Sequence, residues 1–167
     1  MLALITGASS GIGLEYAKQL ARDYHTDLLL VSNQEQEQKQ VASDLAVNYG
    51  VKAIALYADL SKQDAAEQLH QYCIDNNLVV DILVNNAGVF FFNPYCETSM
   101  KRIELILNLH MITVAKLCRL FGEDMINRQL TEEETTQTIC GKSRKKRLYT
   151  QYVIHVRMDG YAWHSIL

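Results

Sequence analysis

Thr6-Gly7-Ala8-Ser9-Ser10-Gly11-Ile12-Gly13 follows the apolar run Leu2-Ala3-Leu4-Ile5 and opens a segment in which Ile12, Tyr16, Ala17 and Leu20 recur at helical spacing. The chain therefore begins strand, glycine turn, helix. Glycines at 7, 11 and 13 let the backbone turn tightly, approach an anion closely and seat the start of the helix on the strand. The unpaired N–H groups of that first helical turn then face the anion. The spacing points to a phosphate cradle for a dinucleotide; taken alone, it also allows a tight turn with no ligand.

Outward from this turn, strand and helix patterns alternate. Residues 27 to 32 read as a second strand, and the Gln/Glu-rich residues 34 to 49 as a surface helix anchored by Val41, Ala42 and Leu45 and ended by Gly50. Residues 52 to 58 read as a third strand, and 61 to 76 as a third helix with Ser61 as its cap. Residues 79 to 85 form a fourth strand, apolar almost throughout, which calls for cover on both faces. After a loop holding the one proline, Pro94, residues 99 to 128 are helical, with Ile103, Ile106, Leu107, Leu109 and Leu117 among the apolar positions. Strands alternating with helices predict right-handed crossovers, an α/β class and a Rossmann-like, doubly wound parallel sheet. A ligand would lie beyond the carboxyl ends of its strands, where the glycine turn sits.

These signals run to about Arg128 and then stop. The 167 residues suffice for one domain with a sizeable core, and 49% hydrophobic with 21% charged residues is ordinary for a globular protein. The net charge of −3 conceals a division: residues 1 to 128 carry 10 basic and 15 acidic side chains, residues 129 to 167 carry 6 and 4. We therefore divide the chain into a nucleotide-binding domain, 1 to 128, and an atypical tail, 129 to 167, expected to be partly disordered or loosely packed. Met1 leads directly into a strand pattern with no leader peptide, and no apolar run approaches membrane-spanning length, so a cytoplasmic protein without membrane contact is expected. Cys73, Cys96, Cys118 and Cys140 stand more than twenty residues apart, and the five histidines show no ligand spacing, so no metal and no disulfide framework is assigned.

Residues 1 to 128 resemble the N-terminal half of the short-chain dehydrogenase/reductase family through four motifs in order. The glycine turn, with its Gly11-Ile12-Gly13 ending, is similar to that family's cofactor motif and assigns Gly7, Ser9, Ser10, Gly11, Ile12 and Gly13 to the cofactor. Ala58-Asp59-Leu60 resembles the Asp-Leu pair that holds the adenine ring, which assigns Asp59 and Leu60. Asn85-Asn86-Ala87-Gly88 resembles the segment that supports the sheet and lies beside the cofactor ribose, which assigns Asn86, Ala87 and Gly88. Asn108 matches the asparagine that bends a helix and holds a water of the proton relay, the one catalytic position the resemblance transfers. Taken singly, Asp59 reads as a helix-entry residue, Asn85 and Asn86 as a polar strand end, and Asn108 as an interrupted helix or a buried amide with a local partner.

The resemblance implies an NAD(P) cofactor and hydride transfer between its nicotinamide and a small carbonyl or alcohol substrate. Cofactor choice turns on the end of the second strand, where Ser32-Asn33 offers no carboxylate to repel a 2′-phosphate; this favours NADP. The family's acid/base tyrosine is activated by a lysine one helical turn on, in Tyr-x-x-x-Lys, while a serine polarises the substrate oxygen. No tyrosine here has a lysine four positions on: Tyr149 meets Val153, Tyr152 meets Val156 and Tyr161 meets Ser165. Catalytic serine, tyrosine and lysine are therefore unassigned, and cofactor binding without turnover is expected.

An incomplete sheet follows, with four family-like strands and residues 152 to 156 as a candidate patch for the apolar fourth strand. The abrupt change of pattern suggests a truncated or frame-shifted reading frame. A non-catalytic nucleotide- or partner-binding module is the alternative, with helix 99 to 128 as a candidate homodimer surface. The basic cluster Lys142, Arg144, Lys145, Lys146 and Arg147 reads as a solvated segment rather than a nucleic-acid contact.

Overall fold

The computed structural model describes residues 1 to 92, 94 to 139 and 152 to 155, with side chains from 129 onward left undescribed. The basic cluster and Cys140, Tyr149 and Tyr161 lie outside the described residues. The glycine turn joins β1 (Leu2–Thr6) to α1 (Gly11–Tyr24). There follow β2 (Asp27–Ser32), α2 (Glu35–Tyr49), β3 (Ala53–Tyr57), α3 (Ala65–Asp75) and β4 (Ile82–Asn85). A single 3₁₀ turn, Tyr95–Glu97, leads into α4 (Met100–Leu107), a π-helical turn (Asn108–Ile112) and α5 (Thr113–Ile139). The last described strand is β5 (Tyr152–His155).

All strand pairings are parallel, in the order β3-β2-β1-β4-β5. Alternation along β1 sends Ala3 and Ile5 to one face, where they pack with Ala17 and Ala21 of α1 and Ala42 and Leu45 of α2. Leu4 goes to the other, with Leu69 and Cys73 of α3 and Leu117, Phe121 and Met125 of α5. Helices thus cover both faces, as the apolar runs required. The chain reverses direction of winding between β1 and β4, and the crevice beyond their carboxyl ends is where such a sheet takes a ligand.

Helix α3 and the helical segment after residue 99 differ from the sequence reading, while β4 agrees with it in gaining a strand neighbour. Helix α3 starts at Ala65 with Asp64 at its cap position, because residues 61 to 64 make a turn in which the Ser61 hydroxyl donates to Asp59 Oδ1 at 2.7 Å instead of capping. The helix expected over 99 to 128 is two helices around the π turn, and α5 carries on past the change in composition to Ile139. The apolar β4 does receive a patch, since β5 pairs with it from Ile82↔Tyr152 to Asn85↔His155.

By length and composition Met100–Arg128 is long and apolar enough to cross a membrane, its most apolar 18-residue stretch having mean hydropathy 1.4, which corrects the expectation that no run reaches that length. Charged residues punctuate this segment, Lys116 and Arg119 among them. In the fold, Lys116 pairs with Glu67 of α3 at 2.6 Å and His70 with Asp124 at 2.7 Å, tying α5 to the helix beside it.

Candidate functional site

The turn after β1 closes by Gly7 N–H donating to Val31 O at 2.7 Å. Gly7 has φ +66°, and a Cβ on it would lie 2.9 Å from both Ala87 Cα and Asn86 Nδ2. Gly13 is tighter still, for its Cβ would overlap the Gly7 carbonyl oxygen and stand 2.5 Å from Asn86 Nδ2. Both positions are closed to any side chain by backbone, which cannot swing away as a flexible side chain can. Gly11 differs: its φ is +57°, but a Cβ would meet nothing within 4 Å, so it serves conformation and open space.

Asn86 stitches this turn to β4. Its Nδ2 donates to Thr6 O at 3.0 Å and Gly7 O at 3.1 Å, and its Oδ1 is buried without a protein partner. Thr6 Oγ1 completes the joint by accepting from Asn86 N at 2.9 Å and Ala87 N at 3.0 Å while donating to Val84 O at 3.3 Å. One hydroxyl thereby uses its donor and both acceptor positions. Sequence reading quoted Thr6 at the head of the turn but gave it no role of its own; a threonine closing an apolar strand before a glycine was the available signal. Asn85 turns the other way, its Nδ2 donating to Cys118 Sγ at 3.3 Å, while burial pushes that thiol up.

Ser10 holds the cap position of α1, but its hydroxyl does not bond the first-turn N–H groups, and that turn carries no acidic residue. A helix start left in this condition favours an anion by dipole and by donors together. Beside it, Ser9 Oγ lies 3.0 Å from Ser32 Oγ and donates to Gln34 Oε1 at 3.2 Å, and Gln34 N donates to Ser32 Oγ at 3.1 Å. Gln34 is a second residue the sequence reading passed over, because it looked like the polar opening of a surface helix. Across the opening, Asp59 Oδ1 accepts from the Ser61 hydroxyl and N–H, and the hydroxyl bond above all holds the Asp59 carboxyl below its ordinary range against the opposing effect of burial.

These groups border one cleft of about 260 Å³ over the carboxyl ends of β1, β2, β3 and β4. Gly7, Ser9, Ser10, Gly11 and Ile12 form its floor and the helix entry; Ser32, Asn33 and Gln34 close one end. Asp59 and Leu60 form one wall, and Asn86, Ala87 and Gly88 continue toward Val89, Leu105 near the end of α4 and Leu109 of the π turn. Of the positions assigned to the cofactor by resemblance, Gly13 alone does not line the cleft, and its place is beneath the turn. Asn108 stands outside it, at the head of the π turn, where its carbonyl accepts from Thr113 N–H and the regular helix is interrupted.

Residues 1–132 match the protein-family model described as short chain dehydrogenase. A very-long-chain 3-oxoacyl-CoA reductase of Anas platyrhynchos is 29% identical over 130 residues, 75% of this chain and 41% of its own length. The 17-beta-hydroxysteroid dehydrogenase type 3 of Danio rerio is 31% identical over 134 residues, 76% and 42% of the two chains. Among solved structures, L-sorbose reductase of Gluconobacter frateurii, complexed with NADPH and L-sorbose, superimposes with TM-score 0.70 at 28% identity, covering 76% of this chain and 48% of that one. The chain thus spans about half the length, or less, of the relatives it matches.

Proposed function

The chain belongs to the short chain dehydrogenase family, and from that premise we propose that its cleft binds NADP(H) and that these 167 residues do so without turnover. One observation carries the proposal: an uncapped, acid-free helix start, a turn whose Gly7 has no room for a side chain and a neutral strand end all border the same cleft. The first-turn N–H groups of α1 would hold the pyrophosphate, Asp59 and Leu60 would flank the adenine, and Asn86, Ala87 and Gly88 would run along the second ribose. The nicotinamide, when bound, supplies the hydride of the family's oxidoreductase chemistry. No residue of this sequence provides the tyrosine and lysine in Tyr-x-x-x-Lys that would move the accompanying proton.

The preference for NADP rests on Ser32, Asn33, Gln34 and Ser9, a neutral set of hydroxyls and amides that can donate to a 2′-phosphate. The bound NADPH of the L-sorbose reductase is in keeping with it. Asn33 is exposed at this end, so Asn33→Asp adds charge without disturbing the Ser9–Ser32 contact. We expect it to weaken NADPH by roughly tenfold, about 1.4 kcal/mol, through repulsion of the phosphate, and to leave NADH equal or tighter. Equal losses for the two cofactors, measured by fluorescence titration, would place the 2′ end of the cofactor elsewhere.

We further propose that α4, the π turn and α5 form a homodimer surface, since Met100, Leu107, Met111, Ile112 and Ile126 stand exposed along them. Sedimentation should show concentration-dependent dimers that Met111→Asp dissolves; a monomer throughout would refute this surface.

A further inference from the structure

The wall of the cleft from Asn86 to Val89 is fastened at its near end by Thr6. Its far end meets the π turn. His110 Nε2 lies 3.0 Å from Val89 N and 3.0 Å from Val89 O, so that by tautomer it accepts from the one or donates to the other. The ring lies against Gly88, where a Cβ would come within 2.7 Å of Cε1 and 3.3 Å of Nε2. His110 is the third residue of the π turn Asn108–Ile112. Of the wall, Asn86, Ala87, Gly88 and Val89 all line the cleft, whereas His110 does not.

We infer that His110 is a positioning residue, a clamp that seats Gly88 and Val89 at the cleft wall and couples the π turn to cofactor affinity. The inference rests on the cofactor reading of the cleft. Its physical basis is a fit of shape and polarity together. A flat ring can cover a glycine at van der Waals distance, and one ring nitrogen can serve either polar group of a single peptide residue. Leucine at 110 would keep the volume and leave Val89 without its imidazole partner. Glutamine offers an amide N–H and a carbonyl, the pair of functions that Val89 presents in reverse.

The test uses the full chain with His110→Leu, His110→Gln, His110→Ala, Gly88→Ala and the double variant Gly88→Ala/His110→Ala. His110→Leu should weaken NADPH by about tenfold, and His110→Gln should restore most of it, a rescue that simple loss of packing would not give. Gly88→Ala alone should weaken NADPH because its Cβ meets the ring. The double variant should bind more tightly than the sum of the two losses allows, since removing the ring frees the space. Equal losses in His110→Leu and His110→Gln, or strictly additive losses in the cycle, would overturn the clamp. Amide resonances of Gly88 and Val89 in the absence of cofactor decide the matter separately: they should move in His110→Leu and return in His110→Gln. If wild type fails to bind NADPH while those resonances behave so, the cofactor reading falls and the clamp on the loop stands. If they do not respond to His110, the clamp falls whatever the cofactor does.

Discussion

Gly13→Val should abolish NADPH binding and lower the urea midpoint of unfolding. A Cβ at this position has nowhere to go, since the atoms it meets are the Gly7 carbonyl group and Asn86 Nδ2, two of the three pieces that lock the turn to β4. To admit valine, α1 must draw back from β1, which withdraws the first-turn N–H groups from the cleft and strains the Asn86 bonds. Overpacking of this kind costs about 1–3 kcal/mol or more, because the obstacle is backbone. Gly11→Ala is the control for stability alone, since Gly11 itself borders the cleft. It faces open space, so its cost is confined to the positive φ, about 1 kcal/mol. A Gly13→Val protein that bound NADPH with unchanged affinity would remove the glycine turn from the cofactor site.

Thr6→Val is expected to be the second large loss. The substitution keeps the volume and deletes one hydroxyl that serves three backbone groups: Asn86 N, Ala87 N and Val84 O. Asn86 and Thr6 are both buried, at 7% and 2% exposure, so water cannot replace the lost partner at the Asn86 N–H. An orphaned buried donor costs about 1–3 kcal/mol, and two donors are released here, so a fall of about 2–4 kcal/mol in unfolding free energy is expected. Weaker NADPH binding should follow as the Asn86 wall loosens. Thr6→Ser, which retains the hydroxyl, should lose about 1 kcal/mol or less through its missing methyl group. Similar losses for valine and serine would mean that the methyl, and not the hydroxyl, holds the joint.

What could be read in the sequence was whatever needs an unusual backbone or an unbroken apolar run. The glycine turn needs positive φ and bare Cα positions; β1, β2 and β4 need Leu, Ile and Val on both faces; both leave marks in composition and spacing. Gln38 left none. It sits among Gln34, Glu35, Gln36, Glu37 and Gln40, yet it is buried, and its Nε2 donates to Leu30 O and, at 3.3 Å, to Leu56 O, joining α2 to two strand ends. Nothing in a run of polar residues distinguishes the one that turns inward. His110 was likewise invisible, because its partner is a backbone group 21 positions away. The break at Asn108 was legible as an interruption, but its form, a π turn that advances His110 onto Gly88, depends on tertiary packing. Ser61 shows the converse: a sound capping pattern lost to a better local partner, Asp59.

Calorimetric titration of the full 167-residue chain with NADPH tests the central claim most directly, with Gly13→Val as the control. The account predicts saturable one-site binding to wild type, tighter for NADPH than for NADH, and none to the variant. A folded wild-type chain that gives no binding heat at millimolar NADPH, or binds it as well with Gly13→Val, would contradict it.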